Sequence, residues 1–288
     1  MIKMNVAVNQ SEIEVASVRG KSALITCKNI QPLKILHPVS HHNCCHLVLT
    51  SYGGGMVSAD VVNINVKCGA DTKTFIGSQS NTRIYKKVLN AITGQNIKGE
   101  VAENALTVVF PDPVVLQAES RFKQSQHWEV RRGGLLFLAD WFQAGRTDSG
   151  EKYLFDMYLS EISIAIDGQL QVLDRFNFDP KENIADSPAN FGQYQSMLSI
   201  YFAGTPDNPK FKKIEEKLLE IKLATQPVLN YDVSAQSCII STTRAREGAY
   251  ILRAMGKSRI DLQWLCDNIM DMLSDPELLE YNPMKRKF

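Results

Sequence analysis

The sequence predicts a mainly β protein: a single strand-rich body with a few helices added in its C-terminal third. Alternation is the first reason. In "VVNINVKCG", Val62, Ile64, Val66 and Cys68 fall on one face and Asn63, Asn65 and Lys67 on the other, the period of a half-buried strand. In "EISIAIDGQLQVLDRF" the dipeptide Asp167-Gly168 separates two such runs and marks a hairpin turn. The third reason is that the two strong helix patterns both come after residue 207.

Residues 12–178 read mostly as strand, with further short runs at "ASVRG", "KSALITC", "TKTFIGS", "NALTVVF", "PVVLQ" and "QHWEVRR". Residues 190–275 read as mixed strand and helix. There Asn208-Pro209 supplies an N-cap and a first helical residue for "KFKKIEEKLLEIKLA", whose apolar stripe is Phe211, Ile214, Leu218 and Ile221. Ser258 and Asp261 form a capping-box pattern for "SRIDLQWLCDNIMDML", with a stripe of Leu262, Leu265, Cys266, Ile269 and Leu273. Both stripes are expected to pack on the sheets. Two more strands are expected within "VSAQSCIISTTRAREGAYILRAMG". Residues 276–288, ending "MKRKF", read as a flexible, solvated tail. No repeat or low-complexity linker divides the chain, so residues 1–288 are taken as one domain.

Composition narrows the function. A formal net charge of +1 over 288 residues gives no global pull toward nucleic acid or an anionic membrane. The N-terminus has no secretory h-region, and "GLLFLADWF" is far too short to span a bilayer. Six cysteines, two of them adjacent, do not make a disulfide framework. A soluble, reduced, cytoplasmic protein is expected.

The stretch "HPVSHHNCCHLVLTSYGGGMV" concentrates four of the five histidines and then three glycines. The glycines match neither a phosphate loop nor a dinucleotide fingerprint, so they are expected to bend the chain or admit a close backbone approach. His41, His42, Cys44, Cys45 and His46 are metal-binding residue types, but adjacent pairs on a strand point to opposite faces. In "CCHLVLT" the alternation groups Cys45 with Leu47 and Leu49, and Cys44 with His46 and Val48. Core packing is preferred, with a weak metal contact as the alternative. A hydrolase has neither a nucleophile elbow nor an organised base to support it.

Three acids stand out instead. Parity places Asp174 with Leu170, Val172 and Phe176, and Asp60 with Val62, Ile64 and Val66, while Asp140 sits in an apolar strand. A core-facing carboxylate is costly unless paired or hydrogen-bonded. One reading gives these acids structural partners such as backbone N–H groups, Arg83, Arg146 or Arg175. The other has several of them face a single wet passage able to hand along a divalent cation.

The stretches "LTSYGGGMVSADVVNINVKCGA", "GSQSNTRIYK" and "FLADWFQAGRTDSGE", followed by matches through "FPDPVVLQAESRF" and "AYILRAMG", resemble in order and spacing the urease accessory protein family called UreD or UreH. The motif positions are Gly54, Gly55 and Asp60; Gln79, Ser80, Thr82, Arg83 and Tyr85; and Gly145, Arg146, Gly150 and Glu151. Ala59 stands where that family usually has a second glycine, and "SYGGG" is similar to the eukaryotic, fungal-like form. The resemblance implies a solenoid-like β body that is not an enzyme and keeps no cofactor. It implies a scaffold with a helical UreF-type partner and a UreG-type GTPase, docked on apo-urease while nickel passes. It also implies a polar tunnel for nickel, to which Asp60, Thr82, Asp140 and Asp174 are assigned as an expected transit path. The competing expectation is a stand-alone His/Cys metal-binding protein.

Overall fold

The structure is a computed structural model that describes residues 9–39, 42–187, 190–224 and 235–286. In chain order the first strands are β1 (Ser11–Val18), β2 (Lys21–Lys28), β3 (Leu33–Leu36), β4 (Cys44–Ser51), β5 (Gly55–Met56) and β6 (Val61–Cys68). Next come β7 (Lys73–Ser78), β8 (Thr82–Ile84), β9 (Thr93–Val101), β10 (Leu106–Phe110), β11 (Val114–Leu116) and β12 (Arg121–Val130). Then follow β13 (Leu135–Gln143), β14 (Met157–Ile166), β15 (Gln169–Phe178) and β16 (Ser196–Gly204). Helix α1 (Pro209–Ala224), strands β17 (Cys238–Arg246) and β18 (Ala249–Gly256), and helix α2 (Gln263–Leu273) complete the order.

The chain winds between two sheets. Strands β6, β9, β12 and β14 stack in parallel in the first sheet, and β4, β7, β10 and β13 stack in parallel in the second. Successive coils thus give one strand to each layer, a β-solenoid-like arrangement. The first sheet runs β15-β14-β12-β9-β6-β1-β2, and the second runs β17-β18-β16-β13-β10-β7-β4-β3.

Sequence pattern separates the two sheets physically. Inner strands of the first sheet such as β6 and β12 alternate, because one face meets the core and the other meets water. The outward face carries polar ladders: Asn96 donates to Asn63 (2.9 Å), and Ser125 donates to Asn96 (2.8 Å). Strands β10 and β13 are buried on both faces, since α1, α2 and the C-terminal segment cover the second sheet from outside. Two cores result. Leu136, Leu138 and Phe142 belong to the one between the sheets, and Leu135, Phe137, Ala139 and Trp141 to the one under the helices.

The helices form as their caps and stripes dictate. Asn208 Oδ1 accepts the Lys210 N–H (2.9 Å) to open α1, and Phe211, Ile214 and Leu218 are fully buried. Asp261 accepts both the Ser258 N–H (2.8 Å) and the Ser258 hydroxyl (2.6 Å). The first turn there is 3₁₀, over Ile260–Leu262, before α2 begins. All five expected stripe residues of this helix are buried.

Three expectations are corrected. The tail is docked as far as it is described: Leu278 and Leu279 lie in the helical core, and Glu280 pairs with Lys73 at 2.8 Å. Leu170 leaves the inward face of β15 and is 47% exposed, because a register shift at Ile164/Ala165 breaks the parity of that ladder. Asp60 is not on the core face of β6; it precedes the strand and accepts the Val57 N–H through Oδ2 (2.8 Å), closing a turn.

That turn requires a positive φ of 71° at Ala59. An L-residue is strained there and glycine is not. Ala59→Gly is expected to stabilise the protein by about 0.5–1 kcal/mol, the relief of strain less the entropy glycine adds to the unfolded chain. A denaturant midpoint at or below that of the unmodified protein would contradict it.

Candidate functional site

Even-numbered residues of β13 that face inward from the second sheet meet the inward face of the first, and Asp140 is one of them. Opposite it stand Gln124 of β12 and Ser160 of β14, neighbours in the parallel register. Gln124 donates through Nε2 to Asp140 Oδ1 (2.7 Å), and Ser160 donates through its hydroxyl to Oδ2 (3.1 Å). The same Gln124 amide also lies 2.7 Å from the Tyr158 hydroxyl and 2.9 Å from Ser160 Oγ, so two N–H groups serve three acceptors. This is a polar layer set across an otherwise apolar core. Among the described residues no ion pair reaches Asp140. Burial holds its carboxyl above the usual range; the bonds from Gln124 and Ser160 oppose that, and the nearby Asp174 carboxylate adds to it.

Asp140 borders two cavities. The larger, about 320 Å³, is walled by Phe142, Phe176, Phe191, Met197 and Met255, and its polar groups include Asp174, Tyr201 and Arg253. The smaller, about 80 Å³, reaches Thr82, Ser78, Asp112, Gln95 and Gln126. Both volumes admit water, and the larger has room for a hydrated ion. Asp174, on the first sheet's edge strand, accepts the Tyr201 hydroxyl (2.6 Å) and pairs with Arg253 (2.6 Å). Asp112, almost fully buried, accepts the Ser78 hydroxyl (2.8 Å) and pairs with Arg259 (3.1 Å).

Thr82 therefore lines the smaller cavity, Asp174 the larger and Asp140 both, while Asp60 lines neither. Two of the three arginines named from sequence are engaged elsewhere: Arg175 with Glu161, and Arg146 with Glu151. Sequence reasoning missed Gln124, Tyr201, Arg253 and Asp112. Gln124 was within reach, since Gln126, Trp128 and Val130 set an inward parity that extends back to it.

The motif residues gather at one end of the body. Gly55 of β5 pairs in register with Arg83 of β8. A Cβ on Gly55 would lie 2.6 Å from the Arg83 carbonyl and from the Tyr85 ring, so glycine permits this approach. The Tyr85 hydroxyl donates to the Gly53 carbonyl (3.3 Å), and Gln79 N–H donates to the Leu49 carbonyl (2.9 Å). Gly54, Gln79, Ser80 and Arg83 are exposed. Strand β11 carries the layer on from β8 to β13, whose end at Gln143 leads into Gly145 and Arg146. There Arg146 and Glu151 form a two-pronged pair, Glu151 also accepts the Ala118 N–H (3.2 Å), and Gly150 closes the turn onto Thr147.

The His/Cys stretch behaves as strand packing. Cys45 and Leu47 lie in the inter-sheet core and Cys44 in the helical core. Burial raises both thiols, that of Cys45 to about 12. His46 is buried, with Nδ1 2.8 Å from the Tyr281 hydroxyl, and His42 stacks on the Tyr281 ring. His41 lies outside the described residues. Among the described residues, no three His, Cys, Asp or Glu side chains are grouped to hold a metal ion.

Fold and site together define a β-solenoid-like body with a polar layer and a buried acid that borders two cavities. A family described as UreD urease accessory protein matches residues 9–287, and the chain belongs to that family. It is 35% identical over 278 residues to "Urease accessory protein UreD" of Cytophaga hutchinsonii, covering 96% of each chain. It is 31% identical over 212 residues to "Urease accessory protein D" of rice (Oryza sativa subsp. indica), covering 72% of this chain and 67% of that one. It is 30% identical over 199 residues to an "Uncharacterized urease accessory protein ureD-like" of Schizosaccharomyces pombe, covering 65% and 67%. Among the described residues no helix is long and apolar enough to cross a membrane.

Proposed function

We propose that this chain is a non-enzymatic, cytoplasmic scaffold for urease maturation, which passes nickel between its two sheets while bound to a UreF-type helical protein, a UreG-type GTPase and apo-urease. The observation that carries the reading is that Asp140 borders both cavities, with Thr82 beyond it on one side and Asp174 on the other. Nickel is cargo here, not a resident cofactor.

The ligand chemistry supports transit over storage. Oxygen donors hold a late divalent metal more weakly than imidazole or thiolate does, so a carboxylate route releases what it takes. A set of thiolates would trap the metal. Asp140 also needs no cationic partner to be displaced, since its donors are neutral.

Complementation tests the function. The chain, supplied with its matching partners, is expressed in a urease-positive cell lacking its own UreD-type protein under limiting nickel. Restored urease activity and urease-bound nickel are expected. Absence of both, with the protein present, would overturn the reading and turn attention to metal titration of the His/Cys stretch.

A further inference from the structure

We propose that Arg253 is a built-in counter-ion that occupies the cation's seat at Asp174 and keeps the larger cavity of the free chain closed to divalent metal. This inference rests on the carboxylate-route reading above.

Strand β18 sets the geometry. Leu252 and Ala254 face the helical core, so Arg253 between them projects from the opposite side of the second sheet, toward the space between the sheets. Its Nη2 lies 2.6 Å from Asp174 Oδ2, the oxygen that also accepts the Tyr201 hydroxyl at 2.6 Å. Asp174 comes from β15, the edge of one sheet, and Arg253 from β18, next to the edge of the other. The pair therefore ties the two layers together where they part, and both members line the cavity. A guanidinium held on this carboxylate repels a divalent cation brought to the same group.

The second arginine at these cavities behaves differently. Arg259 reaches an almost fully buried Asp112, donates to Asn81 at 3.2 Å and lies over the Trp141 ring at 5.6 Å. Three residues hold it, which makes it a fixture of the fold. The Arg253 side chain is 58% exposed, and a solvated ion pair of that kind is weak and readily exchanged. Arg175, the other cation lining the cavity, is already engaged by Glu161 at 2.8 Å. Arg253 is thus the movable charge, and it guards the acid nearest the solvent side of Asp140.

The test is a calorimetric titration of the full chain with nickel(II) chloride alone. Arg253→Gln and Arg253→Met are both expected to bind nickel about tenfold more tightly than the unmodified chain, since each removes a positive charge in contact with the ligand oxygen. Arg253→Lys keeps the charge and is expected to stay near the unmodified affinity. Adding Asp174→Asn to Arg253→Gln is expected to cancel the gain. Unchanged affinity in both neutral variants, or a gain that survives Asp174→Asn, would overturn the proposal. Urease activation in cells separates the two failures. If Asp140→Asn and Asp174→Asn activate urease normally, the route itself is wrong. If they do not, and the neutral Arg253 variants bind nickel no better, the route stands and only the lock is lost.

Discussion

Asp140→Asn is expected to yield a protein that is more stable at neutral pH and poorer at supporting urease activation. The acid is surrounded by protein and its carboxyl is raised, first by burial and then by Asp174, against the bonds from Gln124 and Ser160. Between the ordinary carboxylate pKa and that raised value, the folded state binds more protons than the unfolded state. Stability then falls as pH rises through this window, because ionising Asp140 in the fold costs more than ionising it in the unfolded chain. Asparagine does not ionise, and its amide can still accept from Gln124 and meet Ser160. The gap in melting temperature between variant and unmodified protein should therefore widen as pH rises above the ordinary carboxylate range. Nickel loading of urease should drop by about tenfold or more, the scale of effect when a group that directs a metal is removed. Normal urease activation by a folded variant would remove Asp140 from the route. A melting gap that does not change with pH would show that its carboxyl is not raised.

Gly145→Ala is expected to have the largest structural effect. Gly145 adopts a φ of 137°, and an added Cβ would lie 2.2 Å from the Glu151 carbonyl oxygen and 3.2 Å from that of Leu116. Both obstacles are backbone, so neither can turn aside. Backbone strain and overpacking together should cost about 3–5 kcal/mol. The loop would then release the Arg146–Glu151 pair and the Glu151 bond to Ala118. Arg146 is the first cause of the depressed Glu151 carboxyl, so this stabilisation is present at neutral pH and is lost as pH falls through the lowered value. Gly150→Ala is the control: its φ is 77°, but open space surrounds the added carbon, so about 1–2 kcal/mol is expected. Thermal melts of the two variants decide the matter. Equal destabilisation would mean that the contact with Glu151 does not constrain the loop.

Much of the fold is legible because period-two alternation survives wherever one face of a strand meets water. Strand β12 and the hairpin at Asp167-Gly168 are read directly for this reason. Strand β9 is weaker in sequence because Gly94 and Gly99 interrupt it; Gly99 makes room for the Trp128 ring, which an added Cβ would meet at 2.0 Å. The candidate site was legible only in part. Parity located Asp174, and the run of apolar residues on both faces of its strand marked Asp140 as buried. It failed for Asp60, since alternation has no meaning one residue before a strand begins. The partners Gln124, Tyr201 and Arg253 come from three other strands, and only the pairing of β13 with β16, and of β16 with β18, brings the last two near. Local pattern carries no record of that.

The helical layer over the second sheet has a consequence for synthesis. Phe75, Leu106, Val108, Phe110 and Phe137 face outward from that sheet and are covered by residues that come much later in the chain, among them Phe211, Leu265, Ile269 and Leu279. A ribosome making this protein releases the coils first and their cover last. Until roughly the final third of the chain emerges, a broad apolar wall is open to solvent, the kind of surface that holdase chaperones capture and that drives aggregation when they are scarce. The yield of folded protein should therefore be set by how quickly translation reaches the Lys73–Glu280 clasp that fastens the cover down.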